Sequence, residues 1–360
     1  MRILHVAALS MNMAAGPTYS VPSFVRAQNQ IEGVTAHLLI SRNVKRQSED
    51  FFYKNELESK NEYFKFLTSY DLVIFHSTYI LEHVKIARIL IKEKKPYIIV
   101  PRGGFTKGAK SIKKWKKKIG DLFIFNRFFN STNAIHFLTE MEKAESVHKT
   151  KKDFALPNGI MIPKNKTLNS NNKNYINIVF VGRIDSYHKG LDILIKAVGL
   201  IKDELKHRNA IVNLYGPDVR DSKKQLNQLI DSLRVKDLIN INEPVFSEEK
   251  VKVLLDADIF IQTSRFEGLP MGVLEALSFG LPCILTPGTN LSKEVDNFSA
   301  GIEVMPESLS ISNGILEIIE LLKQQNNLSK NAIRLAKEYS WQTIAKKSIE
   351  QYKTILENNF

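Results

Sequence analysis

Two rhythms of apolar and polar positions alternate along the first half of the chain. Short apolar runs stand at 3–8, 36–40, 72–75, 97–101 and 134–138. They lack a polar face, which predicts strands covered on both sides, as in a parallel sheet. Stretches between them have helical spacing and predict helices at about 20–31, 79–93, 111–128 and 139–149. Residues 164–173 are rich in Lys and Asn, show no apolar period and read as a linker. The pattern restarts at Tyr175, with strands expected at 176–181, 210–215, 238–241, 259–262 and 283–286. Helices are expected between them, at about 190–204, 222–235, 247–256 and 270–279, and a last one at 340–358. Strand–helix alternation in both halves predicts an α/β protein of two Rossmann-like, doubly wound domains. The expected division is 1–163, a linker at 164–174, 175–340, and a terminal helix at 341–360.

Composition adds limits. The 360 residues are 43% hydrophobic, enough for two domains with real cores. No apolar stretch reaches the ~18–20 residues needed to cross a bilayer. The apolar run after Met1 is too short for a signal-peptide core and reads as a first strand. Cys283 is the only cysteine, so an intrachain disulfide and a thiolate cluster are both excluded. It stands in an apolar run and reads as a buried, inert thiol, which favours a cytoplasmic location. The net charge of +13 is uneven: residues 1–157 hold 26 Lys and Arg against 14 Asp and Glu, and residues 158–360 hold 25 against 24. The excess asks for an acidic partner of the first half: an anionic membrane surface, nucleic acid or a phosphorylated acceptor.

The run from Ser264 to Leu277 carries the most chemistry. Glu267 and Glu275 stand eight positions apart, with Gly268, Leu269, Pro270, Met271, Gly272, Val273 and Leu274 between them. Pro suits a first helical turn, so a helix is expected from about Pro270 to before Gly280, with Pro282 beyond it. Glu267 then precedes the helix and Glu275 lies within it. A helix start exposes unpaired N–H groups and suits phosphate. Two bare carboxylates around a helix start are also compatible with ordinary solvated helix chemistry. The whole run closely resembles the Glu-x7-Glu motif of the retaining glycosyltransferases of family 4, which have the GT-B fold: two Rossmann-like domains facing a cleft. The resemblance implies that Glu267 meets hydroxyls of the transferred sugar and Glu275 the ribose. It also implies that backbone amides from about Met271 to Leu274 hold the diphosphate, that the first domain binds acceptor, and that the last helix crosses back onto it.

Other residues fit or depart from that pattern. Arg183 follows one expected strand and Lys189 precedes the next expected helix. Open α/β sheets bind ligands beyond the carboxyl ends of their strands, although a pair of solvated cations is the plainer reading. The resemblance makes Arg183 and Lys189 diphosphate clamps that neutralise the leaving group without a metal. It also places Gly16, in the loop after the first strand, beside the donor. Related sequences carry a His near position 102, close to the reaction centre, whereas this chain has Arg102. Arg stays protonated and cannot serve as a base, but it can stabilise charge. His76 also ends an expected strand and is a second candidate near the reaction centre; a structural role is its plainer reading. His136 reads as a satisfied core histidine. Pro157-Asn158-Gly159-Ile160 resembles the family's turn at the domain junction, and Pro287-Gly288-Thr289-Asn290 is expected to line the cleft.

The densest basic stretch contains Lys113, Lys114, Trp115, Lys116, Lys117 and Lys118, with an apolar and aromatic run after it. It is either a solvated helix face or a surface for anionic lipid headgroups, where each cation contributes about 1 kcal/mol. No nucleic-acid-binding motif accompanies the charge, so no nucleic-acid partner is expected. The expected activity is transfer from a nucleoside-diphosphate sugar, UDP-linked in preference to GDP-linked, to a glycan acceptor on lipid in bacterial surface polysaccharide synthesis. No cofactor and no metal are expected, and the protein is expected at the inner face of the cytoplasmic membrane. A sugar-nucleotide epimerase or hydrolase, a non-catalytic nucleotide-sugar-binding subunit, and a basic nucleic-acid-binding protein remain as alternatives.

Overall fold

Ile3, Leu4, Val6 and Ala7 are all buried, so their strand, β1 (Arg2–Ala7), is covered on both faces. A computed structural model shows how, describing residues 1–9, 16–41, 51–53, 59–106, 124–163, 174–324 and 327–357. The chain divides into two compact units, the first made of Met1–Gly159 and Trp341–Phe360, the second of Ile160–Ser340. The segments 107–123 and 164–173 lie outside the described residues. So the expected linker, and the basic run with Lys113, Lys114, Trp115, Lys116, Lys117 and Lys118, are not described.

In the first unit the strands are β1, β2 (Thr35–Ile40), β3 (Phe51–Tyr53), β4 (Leu72–His76), β5 (Tyr97–Val100), β6 (Ala134–Phe137) and β7 (Phe154–Ala155). They form one sheet in the order β3-β2-β1-β4-β5-β6-β7, and each neighbouring pair is parallel. Side chains alternate between faces. Ile3, Leu72, Ile74, Ile98 and Ala134 pack with the helices Gly16–Gln28 and Trp341–Glu357. Leu4, Val73, Phe75, Ile99 and Phe137 pack on the opposite side with residues of Lys60–Thr68, Leu81–Lys92 and Asn126–Asn130. By the same alternation His5, His76 and His136 share the first of these faces.

The second unit repeats the plan with β8 (Ile176–Val181), β9 (Ala210–Tyr215), β10 (Ile239–Asn242), β11 (Ile259–Gln262), β12 (Cys283–Leu285) and β13 (Gly301–Glu303). Their order is β10-β9-β8-β11-β12-β13, again with parallel neighbours. One face packs on Leu191–Leu200, Ser222–Leu233 and Ser308–Lys323, the other on Met271–Ser278 and Leu328–Glu338. Cys283 is fully buried, and burial pushes its thiol pKa up.

In each sheet the chain first builds outward one way and then resumes on the other side. The direction reverses between β1 and β4 in the first unit and between β8 and β11 in the second. Ligands of open α/β sheets bind beyond the carboxyl ends of the strands flanking such a reversal. His76 ends β4 beside Ala7 of β1. Arg183 and Lys189 follow β8, and Glu267 follows β11.

The ten strands expected from sequence are all present. Three others, β3, β7 and β13, are sheet edges of two or three residues, and the helices Lys60–Thr68, Ser292–Asn297, Ser308–Lys323 and Leu328–Glu338 also go beyond that expectation. Several boundaries differ from expectation; the helix expected at 139–149, for one, ends at Glu145. The first helix begins at Gly16 rather than near 20, and 190–204 holds two helices, Leu191–Leu200 and Lys202–His207. No helix among the described residues is long and apolar enough to cross a membrane.

Candidate functional site

Two loops meet at the reversal point of the second sheet, one after β8 and one after β11. The first turns on Asp185, whose Oδ1 accepts from His188 N at 3.0 Å, and it ends at Gly190 with φ +64°. A Cβ on Gly190 would lie 2.0 Å from the Thr263 carbonyl oxygen, so only glycine lets the loops approach this closely. Thr263 Oγ1 donates to the carbonyls of Lys189 and Gly190 at 3.2 and 3.0 Å. Arg265 grips Asp192 through two bonds of 2.8 and 2.9 Å and lies 4.3 Å over the Tyr187 ring. Phe266 stacks on His188 with centroids 4.1 Å apart. From below, Thr286 Oγ1 donates to Ser264 O at 2.7 Å and Asn290 Nδ2 to Glu267 O at 2.6 Å.

This scaffold brings Lys189 and Glu267 together. Their side chains form an ion pair, each only 12% exposed. Glu267 Oε1 also accepts from Ser264 Oγ at 2.8 Å and Gln262 Nε2 at 3.1 Å. All three donors converge on one oxygen; among the described residues none reaches Oε2. One carboxylate oxygen is therefore anchored and the other is not. Arg183, six residues before Lys189, is exposed and pairs with no described residue.

The helix after Glu267 starts at Met271 and ends at Ser278. Its end follows expectation: Gly280 N donates to Leu277 O and Leu281 N to Ala276 O, with Gly280 at φ +66°. That is a Schellman closure. Its start is more closed than expected. Met271 N donates to Leu269 O, and Val273 N and Leu274 N to Pro270 O. Within 271–274 only the Gly272 amide has no described acceptor, and a Cβ there would meet Val181 O at 3.0 Å. Gly268 stands in open space, where an added Cβ would meet nothing within 4 Å. Glu275 pairs with Lys250 of the helix Ser247–Asp256. Lys250 carries no sequence signal of its own, and only the fold brings it to Glu275; Gln262 and Ser264 stand five and three residues before Glu267, and the turn of the loop brings them to its carboxylate.

In the first unit, a file of hydrogen bonds runs through the buried face of the sheet. Arg102 NH2 meets His76 Nδ1 at 3.3 Å, His76 Nε2 meets His5 Nδ1 at 2.8 Å, and His5 Nε2 meets Gln28 Oε1 at 2.8 Å. Gln28 Nε2 then donates to Ser348 Oγ, and Ser348 Oγ to Ala345 O. Arginine only donates, so His76 Nδ1 accepts and the whole file points one way, with both imidazoles neutral. Burial holds them so: the His5 pKa falls to about 4 and that of His76 well below the ordinary value. Both ring nitrogens of His76 are thus occupied and the residue is 1% exposed, so it reaches a ligand only through Arg102. His136, expected to be satisfied, is only half so: Nε2 donates to Leu156 O at 2.8 Å, while Nδ1 is buried without a partner. Gly16 opens its helix after β1. Among the described residues no group of three His, Cys, Asp or Glu side chains is arranged to hold a metal ion.

Comparison with known proteins adds to this geometry. Residues 162–335 match the family model described as Glycosyl transferases group 1. That match falls within the second unit and spans nearly all of it. An uncharacterized glycosyltransferase of Methanocaldococcus jannaschii is 28% identical over 245 residues, 65% of this chain and 55% of that protein. The N,N'-diacetylbacillosaminyl-diphospho-undecaprenol alpha-1,3-N-acetylgalactosaminyltransferase of Campylobacter jejuni is 28% identical over 109 residues, 30% of this chain and 29% of that protein. The chain spans about half the length of the curated relatives it matches. The solved structure of Anabaena HepE in complex with UDP and glucose has a TM-score of 0.67 at 15% identity, covering 98% of this chain and 100% of that one. At that identity the likeness is one of fold, and the fold is GT-B.

Proposed function

We propose that the protein is a retaining glycosyltransferase that takes a sugar from a nucleoside diphosphate, UDP in preference to GDP. The observation that carries this reading is the Lys189–Glu267 pair at the reversal point of the second sheet, with one Glu267 oxygen anchored and the other open. Glu267 Oε2 accepts from a hydroxyl of the transferred sugar. Lys189, Arg183 and the Gly272 amide face the diphosphate, and Glu275 takes the ribose hydroxyls after exchanging part of its contact with Lys250. Gly16, Gly268, Leu269, Pro270, Met271, Val273 and Leu274 shape the backbone on which the donor lies. The bond from the anomeric carbon to the diphosphate oxygen breaks. The acceptor oxygen bonds to the same face of that carbon, and its proton passes to the departing diphosphate. The charge left on the diphosphate is met by Lys189, held in place beforehand by Glu267, and by the exposed Arg183, without a metal.

The acceptor is a glycan carried on lipid, in surface polysaccharide synthesis, and binds the first unit near Arg102. The naming of the Campylobacter relative for an undecaprenol-linked sugar supports this choice. The basic residues Lys113 to Lys118, with Trp115, hold the protein peripherally at the inner face of the cytoplasmic membrane. The test is a calorimetric and kinetic comparison across UDP-, GDP-, ADP- and TDP-sugars, with the anomeric configuration of the product read by NMR. A UDP-sugar that binds, turns over and yields retained product is the expected result. Inverted product, or donor binding with no turnover on any acceptor, contradicts it.

A further inference from the structure

Arg102 is more than a residue at a strand end. It sits just past β5 with φ +51°, a left-handed conformation that L side chains rarely adopt. Its guanidinium offers five N–H donors. NH1 bonds Ser20 Oγ at 3.1 Å and NH2 bonds His76 Nδ1 at 3.3 Å. Nε is buried and has no partner. No carboxylate among the described residues lies within ion-pair distance. The nearest electrostatic partner, Glu142, spends its oxygens on the amides of Gly103 and Leu138. The imidazoles behind Arg102 are neutral and bonded onward to Gln28, so they offer it no negative charge.

A half-buried cation with an unpartnered buried N–H, whose one neighbouring carboxylate is bonded elsewhere, leaves room for an anion to complete it. The surroundings favour an anion. The helix Gly16–Gln28, which carries Ser20, has no acidic residue in its first turn to offset its positive end. Arg102 also stands beyond the carboxyl ends of parallel strands, where such sheets take ligands. The unpaired N–H groups of a guanidinium form the fork that matches two oxygens of a carboxylate or phosphate.

We propose that Arg102 recognises an acidic group, a carboxylate or a phosphate, on the substrate that binds the first unit. This rests on the reading of the chain as a sugar-transferring enzyme and names a chemical class for one of its substrates. An acidic sugar supplies a carboxylate; a phosphorylated acceptor supplies a phosphate.

The test uses the full chain labelled with 15N-arginine. The Arg102 Nε–H signal is assigned by its loss in Arg102→Gln. Acetate, inorganic phosphate and UDP are titrated separately, with sodium chloride at matched ionic strength as reference. A saturable shift of that signal with acetate assigns a carboxylate, and one with phosphate but not UDP assigns a phosphorylated substrate. Wild type should also melt higher with the effective anion, and Arg102→Gln should not. Should Arg102→Gln fail to fold, Arg102→Lys serves for assignment, and the wild-type titration still decides. No saturable shift beyond the chloride reference overturns the proposal. So does UDP moving the signal as phosphate does, which would assign the anion to the donor. UDP binding lost with the Arg102 response intact would instead remove the nucleotide-sugar reading.

Discussion

Glu267 shows how one side chain is divided between structure and chemistry. Three donors hold Oε1, so the side chain is oriented before any ligand arrives. Glu267→Gln should lower kcat about 100-fold, near 2.7 kcal/mol of barrier, with donor Kd changed less than about threefold. Initial rates and calorimetry on the same preparation check this; a raised Kd with unchanged kcat would make Glu267 a plain binding group. Glycines give a second residue-scale contrast. Gly190→Ala combines a positive φ with backbone contact at Thr263 and should cost at least about 1–3 kcal/mol of stability. Gly268→Ala, with open space around it, should stay within about 0.5 kcal/mol. Denaturant unfolding of the two variants checks the pair. The roles of Glu267 and Lys189 were suggested by their motif, but their mutual contact was not legible. Nor was the Lys250–Glu275 pair, because both it and the Lys189–Glu267 contact depend on which elements the fold makes neighbours; Gln262 and Ser264 reach Glu267 locally, through the turn of the loop after β11.

At the scale of elements, apolar runs announced the strands that are covered on two faces. The three that were not announced, β3, β7 and β13, are edges paired on one side only, too short for a run to stand out. The helix Ser308–Lys323 is a different case. Ile311, Ile315, Ile318 and Ile319 are buried at helical spacing, and that signal is present in the sequence. Histidines inside apolar strands are the less expected feature. His5 and His136 are buried with pKa values near 4, and His83, on the helix Leu81–Lys92, near 3, all lowered by desolvation. Unfolded, each titrates near 6.5. Between those values the unfolded chain binds more protons than the folded one, so stability present above about pH 6.5 is lost on acidification. Each of these histidines should add a slope of about 1.4 kcal/mol per pH unit between roughly pH 6 and 4.5. Urea unfolding across that range checks it: His5→Gln, which keeps hydrogen-bonding capacity without titrating, should flatten the slope.

For the whole molecule, restarting strand–helix alternation made two Rossmann-like units legible before any coordinates. The uneven charge has its consequence at this scale, since nearly all of the +13 belongs to the first 157 residues. Reversing the charges at Lys113, Lys114, Lys116, Lys117 and Lys118 should abolish sedimentation with phosphatidylglycerol vesicles and leave phosphatidylcholine binding unaltered. Each removed cation is expected to contribute about 1 kcal/mol near the surface. The central claim concerns the second unit: the loops after β8 and β11 hold the diphosphate of a sugar donor. Calorimetric titration of UDP into wild type and into the Arg183→Ala/Lys189→Ala double variant, at one ionic strength and with folding verified, tests it most directly. The account predicts saturable binding by wild type and at least a tenfold weaker Kd in the variant; equal affinity in the two proteins would contradict it.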